Sequence, residues 1–191
     1  MTRIILSTLL FTVVALLSFS VWAFFSQSFG SEAALYAGCA IVFLGLGGFC
    51  FTPILKTLKG VSVLNFYWRF TLGFVIYAVS WSFAWFTFRN TFGEVLGTFV
   101  GLVALVAMTR PSLKRGLRFW ESIAIVFLWM TLGYYLGEYL YQALQGRGSL
   151  PLDFELSREA KVLAARLGWG LGYGLGLGAG VSHWLHASRH P

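Results

Sequence analysis

Apolar residues in this chain run on in long blocks instead of alternating with polar ones. Six blocks stand out, at 4–25, 33–55, 66–88, 91–109, 119–144 and 158–187. Each holds about 20 residues or more, enough for a helix rising 1.5 Å per residue to cross roughly 30 Å of hydrocarbon. Backbone groups inside lipid must bond within their own segment, so each block is predicted to be helical. The pattern predicts an all-α bundle of about six transmembrane helices, a single integral membrane domain over 1–191. The first block follows Arg3, and Val21-Trp22-Ala23 would tolerate signal-peptide cleavage. Its length favours a retained span. The sixth block is the longest. Ser157 suits its N-cap, and its first turns are expected to stand above the membrane surface.

Within the sixth block every even position from Gly168 to Gly180 is glycine. A dinucleotide loop needs glycines at offsets two and five, and no Gly-Lys-Ser/Thr follows, so phosphate-loop readings fail. At 100° per residue the glycines split into two flanks. Gly168, Gly172, Gly176 and Gly180 form one; Gly170, Gly174 and Gly178 form the other. In a membrane such flanks let neighbouring helices approach closely, as in a glycine zipper. Gly93, Gly97 and Gly101 on the fourth helix make a similar line, and Gly133 with Gly137 a shorter one on the fifth. The glycine helix is therefore expected to pack against the fourth or fifth helix. Lines left uncovered would become oligomer contacts.

Two helix ends look alike. Thr52-Pro53-Ile54-Leu55-Lys56 closes the second block and Thr109-Arg110-Pro111-Ser112-Leu113-Lys114 the fourth. Aromatic residues open each following block, Phe66-Tyr67-Trp68 and Phe119-Trp120. This suggests duplicated hairpins, second with third and fourth with fifth, although any inner membrane boundary selects proline, lysine and aromatics. In the longest connection, Leu150, Leu152, Phe154 and Leu156 alternate with polar residues and Pro151, a period that suits an extended segment lying on the membrane or the bundle, although an ordered surface loop is the simpler expectation.

Composition agrees with this picture. Only 11% of residues are charged, against roughly 25% in soluble domains. The formal charge of +7 sits at block ends, where it serves topology and lipid headgroups, not nucleic acid. With the N-terminus inside, nine basic residues fall on inner ends and five on outer ends. The inner set is Arg3, Lys56, Lys59, Arg69, Arg110, Lys114, Arg115, Arg118 and Arg189. The imbalance puts both termini in the cytoplasm, in the plasma (inner) membrane if the chain is bacterial. Cys39 and Cys50 are eleven residues apart on one helix, about 16 Å of rise, and cannot bridge each other.

Ionisable residues inside spans are functional candidates. Glu94 and Glu138 lie near outer helix ends, at the level of Arg89 and Arg166. Arg69 and Glu121 lie at matching inner starts. Mutual neutralisation is the simple expectation: Glu94 and Glu138 with Arg89 and Arg166, and Arg69 with Glu121. The sharper alternative is an outer vestibule that binds a cation or proton. His183, His186 and His190 share a helical face, but no Cys, Asp or Glu accompanies them, so they are weak metal or haem candidates. Phe74, Tyr77 and Trp81 in the third helix either face lipid or line a groove for a lipid-like ligand. No nucleophile, base and orienting group gather at one depth, so no enzyme is expected, and no cofactor. The leading expectation is a non-enzymatic assembly partner or oligomeric scaffold. Its partners would be the bilayer and further copies or other membrane subunits. A small transporter or channel using Glu94 and Glu138 is the alternative, and a binder of a lipid-like ligand the third.

Overall fold

The computed structural model describes residues 1–113, 117–147 and 155–189. Among these residues the fold is all-helical, with no strand. Its long helices track the apolar blocks: α1 (Thr2–Phe25), α2 (Glu32–Leu46), α3 (Val63–Phe88), α4 (Thr91–Thr109), α5 (Phe119–Leu144) and α6 (Arg158–Ala187). Five of the six segments are long and apolar enough to cross a membrane. The exception is α6, whose glycines and charged first turns dilute its hydropathy. The proposed extended segment, together with Lys114, Arg115 and His190, falls largely or wholly outside the described residues.

Polar residues set the helix ends. Ser31, Ser62, Asn90 and Ser157 each accept a hydrogen bond from the backbone N–H three residues on. This satisfies a donor that the first helical turn leaves open. Only Arg89 and Asn90 separate α3 from α4. Arg89 takes the left-handed conformation (φ 49°, ψ 38°) and its N–H returns to the Trp85 carbonyl. The chain reverses in two residues, so α4 must run back along α3.

The α-geometry of α2 gives way to a 3-10 segment, Gly47–Phe51, before a last turn, Thr52–Leu55. Pro53 donates no backbone hydrogen bond, and the preceding glycines weaken the helix. The tighter winding leaves carbonyls without their helical partners. Leu44 O is met instead from α3, by the Tyr67 hydroxyl at 2.9 Å and Thr71 Oγ1 at 3.4 Å. Gly48 permits this approach, because a Cβ there would stand 2.9 Å from the Tyr67 ring.

Both glycine flanks of α6 are covered inside one chain. Gly172, Gly176 and Gly180 lie on α5, at Gly137, Gly133 and Val126. A Cβ on Gly176 would stand 2.8 Å from Gly133 Cα and 2.8 Å from Trp129 O, nearer than side chains are found. Gly170, Gly174 and Gly178 lie on α1, where a Cβ on Gly174 would be 2.7 Å from Thr12 Cα. Partner numbers fall as those of α6 rise, so α6 is antiparallel to both. Contact with α5 matches the expectation. Contact with α1 was not foreseen, since α1 has no glycine line and receives α6 with Thr12, Ala15 and Phe19. The line Gly93, Gly97 and Gly101 serves α3 and not α6: a Cβ on Gly97 would stand 2.8 Å from Trp81 Cα.

Two tightly packed units result, the trio α1–α6–α5 and the pair α3–α4. α2 lies along α1 and meets α3 chiefly through its 3-10 segment. Among helices consecutive in the chain, the closest pairs are α3 with α4 and α5 with α6, not the second-with-third and fourth-with-fifth hairpins of the suggested duplication. Gly178 beside Thr8, and the Arg189 guanidinium bonded to the Thr57 hydroxyl, place both ends of the chain at one end of the bundle. There the two units are joined by a solid core. Phe11, Phe51, Phe66 and Phe70 are all at most 1% exposed, and the Phe51 and Phe70 rings lie 5.4 Å apart. Toward the opposite end the units separate.

Candidate functional site

A cavity of about 300 Å³ occupies the space where the trio and the pair part. Glycine seams bring backbones together, and the gap beside them is held open by large rings projecting from facing helices. Phe43 and Phe74 approach to 5.1 Å. Trp22, Trp81, Trp169, Tyr77 and Tyr173 line the walls. Tyr36 and Trp85 line the side where α2 and α3 diverge, and Tyr36 is 46% exposed. Every one of the six helices contributes to the lining, so the cavity exists only in the assembled bundle.

Few polar groups reach it. Glu94, in the first turn of α4, pairs with the Tyr134 hydroxyl of α5 and feels the charge of Glu138 one turn further on. The Tyr77 hydroxyl pairs with Tyr173 and Thr98. Ser18 Oγ donates to Cys39 O at 2.8 Å and ties α1 to α2 at the cavity wall. Among the described residues no Lys, Arg or His lines the cavity.

The structure separates the two cysteines. Cys39 lines the cavity and is half-buried, whereas Cys50 is 6% exposed and lies in the solid core. N-ethylmaleimide is expected to alkylate Cys39 at least tenfold faster than Cys50 in folded protein, with the rates equalising after denaturation. Equal rates before denaturation would show that Cys39 is no more accessible than Cys50 and would overturn its placement at an open cavity wall.

The expected ion pairs are not the ones formed. Arg166 points to the end of α1, donating to Trp22 O at 2.9 Å and to Ser26 Oγ at 2.8 Å. Its guanidinium also lies over the Trp22 ring, 5.1 Å from the centroid. The carbonyls at a helix C-terminus lack donors and carry partial negative charge, so they compete well for a guanidinium. Arg89 is exposed at the α3 end. Arg69 donates to Asn65 Oδ1 at 3.2 Å and to Met108 O at 3.5 Å. Glu121 turns back on its own helix start, accepting from Arg118 N–H at 3.1 Å. Glu94 thus lies within electrostatic reach of Tyr134 and Glu138, and neither Arg89 nor Arg166 is placed to neutralise it.

Trp129 Nε1 donates to His183 Nδ1 at 3.1 Å, and His186 Nδ1 lies 3.3 Å from the Arg189 guanidinium. Among the described residues no group of three His, Cys, Asp or Glu could hold a metal ion. The third-helix aromatics were expected chiefly to face lipid. Phe74 and Tyr77 are instead 3% and 4% exposed, and with Trp81 they line the cavity. Trp22, Tyr134, Trp169 and Tyr173 also line the cavity, beyond the residues expected from the sequence. One signal was present: Trp169 and Tyr173 are the aromatic residues of the glycine block, four apart and hence on one helical face. Compared with known protein families, curated proteins and solved structures, the chain has no match.

Proposed function

We propose that this chain is a six-span integral membrane protein that binds a lipid-like molecule in its aromatic cavity, without catalysing a reaction. The observation that carries this reading is the cavity itself, an apolar, ring-lined space of about 300 Å³, at the small end of the range for ligand pockets. Binding suits it better than chemistry, because its polar groups include no nucleophile beside a base. The sixth crossing is α6, which is antiparallel to α1 and α5 over most of their length. It needs little hydropathy of its own because they shield both glycine flanks. The excess of basic residues at the end holding the termini supports a cytoplasmic location for that end, in a plasma membrane, and an outer-leaflet position for the cavity.

Native mass spectrometry of protein released from mild detergent tests this reading. Wild-type protein is expected to carry a bound small molecule or lipid. Ala78→Phe, which adds a ring to the cavity wall, is expected to lose it while remaining folded. Bare wild-type protein, or an adduct untouched by Ala78→Phe, would overturn the reading. An oligomeric scaffold would have to use other surfaces, since the glycine lines that suggested it are covered within one chain. The same spectra would report such an assembly. A transporter using Glu94 and Glu138 would need flux that stops in Glu94→Gln liposomes.

A further inference from the structure

We infer that the cavity selects lipophilic cations, molecules that join a quaternary or protonated amine to an apolar body. The inference rests on the cavity reading above and adds the charge of its occupant. Its first support is the Glu94 carboxylate, which has no Lys, Arg or His beside it in the cavity lining among the described residues. Glu94 lines the cavity and its neighbours are Tyr134 and Glu138. Each basic side chain expected to neutralise it is placed elsewhere. Arg166 is held by Trp22 O, Ala23 O and Ser26, and Arg89 is exposed beyond the α3 end. A carboxylate in an apolar site attracts a cation far more strongly than one in water.

The second support is the wall. Indole and phenol faces attract cations through their quadrupole, and a cage of such rings is the usual protein receptor for quaternary ammonium groups. Trp81 and Trp85 stand stacked at 6.0 Å, with Tyr77 one turn below Trp81 on the same face. The behaviour is already visible at this wall, since Trp22 carries the Arg166 guanidinium over its ring. The remaining lining is largely apolar and would take the body of the ligand, entering on the side where Tyr36 and Trp85 stand between α2 and α3.

The test compares two molecules of the same shape, benzyltrimethylammonium and its neutral carbon analogue neopentylbenzene. Isothermal titration calorimetry is run on the full chain in maltoside micelles, with protein-free micelles subtracted. Wild-type protein is expected to bind both. Glu94→Gln should weaken the cation at least tenfold and leave the neutral analogue within twofold. If Glu94→Gln leaves cation affinity unchanged, the charge selectivity is refuted while the cavity reading stands. If wild-type protein binds neither molecule, both readings fail. Should Glu94→Gln lose both ligands through misfolding, Glu94→Asp decides. Retained preference for the cation supports the inference, and its loss overturns it.

Discussion

Gly174→Leu and Gly176→Leu are each expected to abolish the folded bundle, while Gly45→Leu leaves it intact. At Gly174 a Cβ would already stand 2.7 Å from Thr12 Cα, and at Gly176 2.8 Å from Gly133 Cα. The obstacle in both cases is backbone, which cannot turn away as a side-chain tip can. Overpacking a core costs about 1–3 kcal/mol even where side chains can rearrange, and a seam of facing backbones falls at or above the top of that range. Gly172→Leu belongs to the same class, since its Cβ would collide with the Gly137 backbone. Gly45 has nothing within 4 Å of a Cβ and controls for the general effect of leucine on expression. Fluorescence-detected size exclusion after a heat step would measure all four. Survival of Gly174→Leu and Gly176→Leu with wild-type melting would show that the two seams are looser than described.

The second large effect is expected at Arg166. Replacing it by leucine removes the donors to Trp22 O, Ala23 O and Ser26 Oγ and the contact with the Trp22 ring. Hydrogen bonds to a charged group are worth about 1.5–3 kcal/mol, so a loss of about 2 kcal/mol is expected. Lysine in its place would restore only part, because its ammonium can serve the acceptors that Nη1 meets but has no planar face to stack on the Trp22 indole. Double-mutant cycles identify the partner. Arg166→Leu should couple with Ser26→Ala and be additive with Glu94→Gln. Coupling to Glu94 instead would restore the ion pair suggested by the sequence and remove the reason for leaving Glu94 open to a ligand.

These two results draw on different levels of information. The glycine flanks are legible in the chain, because seven glycines at every second position can be placed on a helical wheel without a structure. What covers each flank is not legible. α5 shows a matching pair, Gly133 and Gly137, and was a fair expectation. α1 offers alanine, threonine and a phenylalanine, residues common in any span. The fourth-helix line looked like the natural partner of α6 and is taken up by α3, because Arg89 and Asn90 turn the chain too tightly for α4 to lie anywhere else. The ion pairs failed for a related reason. Depth along a helix can be read from sequence, but azimuth relative to a neighbour cannot, and Arg166 found helix-end carbonyls at its own depth.

The cavity shows the same division. Phe74, Tyr77 and Trp81 were visible as an aromatic set, and a groove for a lipid-like ligand was among the readings they allowed. Whether they faced lipid or protein depended on the placement of α2, α5 and α6 around α3. A bilayer is as apolar as a protein core, so hydropathy carries no signal that tells the two surroundings apart. Readable from the chain alone were the helical class, most helix boundaries and the places where two backbones can touch. Apolar block length, capping side chains and missing Cβ atoms act locally or along one helix. Three-dimensional packing set which helices share a seam, where the seams end, and that Glu94 faces the ring-lined space between them with no basic side chain in its lining among the described residues. Those outcomes depend on how rigid helices rotate and cross when all six compete for the same neighbours.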